Sequence, residues 1–107
     1  MALKAAFIFV APAADPAVHR NWVRTPDVEL LTLAIADYDA IESVVDDLIT
    51  KEGVKAIELC GGFGLQGAAR VARASAGRAA VGVVRFDCHP GLGHKSGDDL
   101  FYTDRCK

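Results

Sequence analysis

The chain has 107 residues, of which 51% are hydrophobic and 24% charged, with a formal net charge of -2 at pH 7. That composition describes one ordered domain, residues 1–107, and is too short for a two-domain dehydrogenase, so any site is compact or shared between subunits. The mildly acidic balance leaves no basic footprint for nucleic acid, and no apolar run approaches the ~18 residues that a membrane span needs.

Three cysteines, Cys60, Cys88 and Cys106, form no C-x-x-C pair. An odd count argues against a disulfide framework and for reduced thiols in a cytoplasmic setting. Near the start, Lys4, the apolar residues 5–11 and Ala11-Pro12-Ala13 imitate a short signal peptide. The same aromatic and β-branched run, Ala5 to Ala11, predicts a strand covered on both faces of a parallel sheet.

Asp15-Pro16 next predicts a helix cap and first turn, with Val18 and Trp22 on one face, Pro26 as terminator, and His19, Arg20 and Arg24 on the solvated side. Val28 to Ile35 reads as a second strand. Asp37 or Asp39 then caps a helix on which Tyr38, Ile41, Val44, Val45, Leu48 and Ile49 recur at helical spacing, and Gly53 stops it. Val54 to Leu59 is a third strand, Leu65 to Ala76 a helix ended by Gly77, and Ala80 to Phe86 a fourth strand. Residues 88–107 read as an irregular C-terminal arm with turn signals at Pro90, Gly91, Gly93 and Gly97.

Alternating strands and helices predict an α/β domain: a small Rossmann-like parallel sheet of about four strands flanked by helices, order 2-1-3-4 favoured over 4-3-2-1. In the favoured order the crevice between the first and third strands, outside their carboxyl ends, is the place for a ligand. The loops Ala11 to Asp15 and Cys60 to Gly64 face it.

Chemistry concentrates in the second loop. Gly62, Gly64 and Gly67 have the spacing G-x-G-x-x-G, and Asp87 follows at the distance of about 20 residues expected of a dinucleotide fingerprint. The motif follows the third strand, and a small sheet has no second nucleotide half. An anionic or phosphorylated small molecule, held by Cys60, Gly61, Gly62, Phe63 and Gly64 and by the helix start behind them, therefore fits better than NAD. No cofactor is assigned. The plainer alternative is a tight turn, with Gly61 and Gly62 at positive φ and Gly67 allowing close helix packing.

Asp87, Cys88 and His89 end the fourth strand beside Cys60. They offer a thiol enzyme, with Cys88 or Cys60 activated by His89, or a zinc site of Cys60, Cys88, His89 and His94 whose spacing fits no familiar template. Buried, inert cysteine is the alternative to both. Glu58 interrupts an apolar run, and equal offsets from the strand ends place Arg85 beside it, as an ion pair or with Glu58 as a general base. In the arm, Lys95 and Ser96 have the superficial look of a P-loop without its spacing and are positioned to close over an anion. Leu100-Phe101-Tyr102 is an apolar cluster able to dock on a second copy, which favours a homodimer or higher homo-oligomer. A third reading of the chain is an oligomeric assembly module with no pocket.

The segments MALKAAFIFVAP, IELCGGFG and VGVVRFDCHPG together resemble a small microbial family of unknown function over nearly the whole chain. The resemblance implies a free-standing α/β domain and transfers no catalytic residue.

Overall fold

Eight consecutive residues of β1, Leu3–Val10, pair in parallel with β3, Val28–Ile35, and at their middle with β4, Ala56–Leu59. The computed structural model describes residues 1–84 and 90–102. β5, Ala80–Val83, extends the parallel sheet beyond β4, and β2, Arg20–Arg24, adds an antiparallel strand at the β3 edge. The sheet order is β2-β3-β1-β4-β5, so β1 is central. It differs from the expected four-strand sheet by the added edge strand.

That edge strand replaces the helix expected after Asp15. A helical turn does nucleate there: the Val18 and His19 amides donate to the Asp15 carbonyl, and Asp15 Oδ1 accepts from Ala17 N. It does not propagate, because residues 20–24 pair their backbone with β3 and Trp22 packs against the core, which a short solvated helix would not provide. Thr25 closes the hairpin, with Oγ1 donating to the Val28 carbonyl at 2.6 Å. Arg24 lies over the Trp22 ring at 4.2 Å and pairs with Glu29, while Arg20 pairs with Glu52.

Helices α1, Ile41–Thr50, and α2, Leu65–Ser75, connect β3 to β4 and β4 to β5. Asp37 Oδ1 accepts from Asp39 N and opens a 3-10 turn, Tyr38–Ala40, that runs into α1. Gly53 and Gly77 take φ of +77° after the two helices, the left-handed stops their positions predict. Side chains of α1 and α2, among them Val44, Val45, Leu48 and Val71, meet Ala6, Ile8, Leu31, Leu33, Ile57 and Leu59 in one core. Strand residues alternate faces, so these positions define a single covered side of the sheet. β1 is thus not covered on both sides by the described elements. The connection from β1 to β3 is a hairpin rather than a helix; it lays no helix on the other face and meets it at the Phe9 and Ala34 end through its 11–14 loop and His19. Among the described residues no helix is long and apolar enough to cross a membrane.

The arm is more ordered than its turn signals imply. It forms a 3-10 turn, Pro90–Leu92, and a short helix α3, Gly97–Phe101, capped by Ser96 Oγ, which accepts from Asp98 N at 3.1 Å.

Candidate functional site

The glycine loop leaves β4 at Leu59 and enters α2 at Leu65, outside the carboxyl ends of β1 and β4, where the sheet order reverses. Gly61, Gly62, Phe63 and Gly64 are all buried. Their cover is the chain's own arm. Asp98 reaches the first turn of α2, its Oδ2 accepting from Gln66 N at 2.8 Å and its Oδ1 from Gly67 N at 3.1 Å. A carboxylate therefore occupies the place where exposed amides and the helix dipole favour an anion.

Tyr38 ties the assembly together. Its hydroxyl accepts from Gly64 N at 3.0 Å, and its own proton faces Asp98 Oδ1 at 3.2 Å and the Gly62 carbonyl at 3.4 Å. The ring is fully buried, stacks on Phe63 with centroids 5.6 Å apart, and meets Phe101 of the arm at 6.1 Å. Burial pushes its pKa well above the tyrosine value, and the Asp98 charge adds to this, against the lowering effect of the Gly64 hydrogen bond.

The glycines answer to these contacts rather than to unusual dihedrals. Gly61 and Gly62 are not at positive φ, contrary to the tight-turn alternative. A Cβ on Gly67 would fall 2.5 Å from the Tyr38 ring. One on Gly64 would fall 2.3 Å from Asp98 Oδ1, and one on Gly97 only 1.7 Å from the Gly62 carbonyl oxygen. The loop and the arm approach each other as backbone against backbone.

Beside this closed contact, two of the open clefts that Phe9 lines border the crevice loops. One, of about 250 Å³, is lined by Phe9, Val10, Cys60, Gly62, Gly91 and Leu92; the other, of about 370 Å³, by Phe9, the 11–14 loop, His19 and Ala34. The two loops expected at the crevice thus each border a cleft. Cys60 is half-buried with a free thiol, and its Sγ accepts from Gly62 N at 3.1 Å. A larger groove of about 440 Å³ lies elsewhere, between Pro16 and the outer side of α1. The switch-point crevice is preferred because it holds the helix start and the thiol together.

Glu58 needs no compensating cation. It is exposed on the uncovered face of the sheet, and the register sets Gly82 beside it. The adjacency of β4 and β5 is as expected, but the pairing is offset from the one equal offsets suggest, because β5 ends at Val83. Arg85, Asp87, Cys88 and His89 lie outside the described residues, as does Cys106. The thiol-enzyme and zinc readings that need Cys88 and His89 therefore gain no geometry, and among the described residues no three His, Cys, Asp or Glu side chains converge.

Tyr38 and Asp98 were not among the expected site residues, and Ser96, expected with Lys95 to close over an anion, caps α3 beside Asp98. Two signals pointed to them: a tyrosine on an apolar helix face, whose hydroxyl must find a partner, and Ser96-Gly97-Asp98, a serine cap followed by an acidic first turn. Phe101 and Tyr102, expected on a second copy, pack on the chain's own core.

No curated protein and no solved structure matches this chain. A sequence family, DUF6506, described as a family of unknown function, matches residues 3–99. That span covers every strand, α1 and α2, the glycine loop and Asp98, and the chain belongs to this family.

Proposed function

We propose that the domain binds a small anionic molecule, carboxylate or phosphate, at the start of α2 and in the adjoining cleft, in competition with its own Asp98. The observation that carries this reading is the Asp98 carboxylate on the Gln66 and Gly67 amides. It supports an affinity of this helix start for an anion. The open cleft at Cys60 and Gly62 supplies room for the rest of a ligand. A bound anion would take over the two amides and release the arm.

The competing reading makes the Asp98 contact a permanent latch and the domain a module without a ligand. It is favoured by the burial of Gly61 to Gly64 and by the Cβ clashes at Gly64 and Gly97. Thermal shift with nucleotides, phosphorylated sugars and dicarboxylates, run on the natural chain and on Asp98→Ala, separates the two. Competition predicts a stabilised chain, about 2.7 kcal/mol at 100 times the dissociation constant, and tighter binding once the internal carboxylate is gone. If no anion shifts either protein, the binding reading fails and the latch stands.

A further inference from the structure

The uncovered face of the sheet is apolar out of proportion to its exposure. Leu3, Val23 and Val28 project from it with relative exposures of 47%, 62% and 43%, around the half-buried Phe7, Phe9 and Leu30. Glu58 is the only charged residue that the five strands place on this face. A parallel sheet normally carries a second layer there, and a solvated face normally alternates toward polar residues. None of the described helices supplies that layer.

We propose that a second copy of this chain does, in a face-to-face dimer whose two-fold axis lies between the sheets and runs along β1. Three observations select that occupant. First, five strands at about 4.8 Å spacing and roughly 20 Å of length give a projected area near 500 Å², which side-chain relief raises toward the ~800 Å² per partner of a stable interface.

Second, β1 is the middle strand, so an axis along it sets every strand over a strand of the copy: β4 lies over β3 of the partner, and β5 over β2. Aligned packing at about 30° is the ordinary solution for two stacked sheets.

Third, the face is complementary to itself in charge. One row across the sheet reads Asn21, Thr32, Phe7, Glu58, Gly82. The proposed axis passes at Phe7 and sets Glu58, one strand from it, over the partner's Thr32 and beside the partner's Asn21. The hydroxyl and the amide donate to the carboxylate. An axis across the strands instead stacks β4 on β4 and brings the two Glu58 carboxylates together, which is unfavourable. Phe9 belongs both to this face and to the clefts, so those clefts open at the edge of the interface.

Light scattering and sedimentation equilibrium on the full chain test the proposal. The expected species has twice the 11.3 kDa chain mass. Thr32→Glu places carboxylate against carboxylate and raises the dimer dissociation constant by roughly 100-fold or more; adding Glu58→Lys to it restores the dimer. Val23→Lys, at an exposed position that does not threaten folding, weakens the dimer independently. A monomeric natural chain overturns the proposal. So does a dimer indifferent to Thr32→Glu and Val23→Lys, which would place the contact at a sheet edge. Failure of Glu58→Lys to rescue overturns the axis. Anion binding is measured separately on the Val23→Lys protein, so the two proposals fail independently.

Discussion

Tyr38 is a tyrosine because a phenylalanine fills the same space but leaves its surroundings unsatisfied. Its hydroxyl is the acceptor for the buried Gly64 amide and a donor to the Asp98 carboxylate. Tyr38→Phe is expected to cost about 1–3 kcal/mol, read from urea or thermal unfolding, because the amide loses its partner in a place water does not replace it. The hydroxyl also sets an alkaline limit. Burial raises its pKa in the folded chain, so the unfolded chain gives up the proton first. The stabilising contribution is complete below the ordinary tyrosine pKa of about 10 and is lost as pH rises above it. The Tyr38→Phe protein should lack that part of the alkaline fall. Gly97→Ala acts differently, by backbone collision with the Gly62 carbonyl. The arm is expected to leave the loop, with faster hydrogen exchange at Gln66 and Gly67 and proteolytic cutting within residues 90–102; unchanged exchange would refute the collision.

Among elements, α1 and α2 are joined across their exposed sides by charge as well as by core packing. Arg70 of α2 donates to Glu42 through two nitrogens, Nε at 2.7 Å and an Nη at 3.0 Å, and Arg78, in the turn after α2, pairs with Asp46 of α1. The Arg70 hydrogen bond holds the Glu42 carboxyl below its ordinary range. A depressed folded pKa means stability present above the unfolded value near 4.5 and lost as pH falls through the folded one. Because the Glu42 side chain is 55% exposed, solvent screening limits the effect. Glu42→Gln is expected to cost less than ~1 kcal/mol at neutral pH and to flatten the acid limb of the stability curve between those values.

Elements with strong internal signals were legible before any tertiary information: β3 at Val28 to Ile35, α1 from its periodicity and caps, α2 from the glycines on either side. The segment after Asp15 was not. Its cap, proline and apolar spacing are those of a helix, and a helical turn does form at Asp15, but pairing with β3 is a long-range contact that local spacing cannot express. Glu58 misleads in the opposite way. It reads as a buried charge only if the strand is covered on both sides.

For the whole molecule, the parallel α/β layout, the central β1 and the sheet end at which the glycine loop emerges follow from the sequence alone. Apolar runs, helix caps and glycine stops are local signals, and together they leave few ways to order the strands. Tertiary structure alone decided what the glycine loop faces and what the second side of the sheet lacks. The loop's amides are taken by Asp98, more than thirty residues away in the chain but brought back by the arm. The open side arises because one crossover became a hairpin. Each outcome depends on contacts between segments far apart in sequence, and such contacts leave no periodicity in the residues that make them.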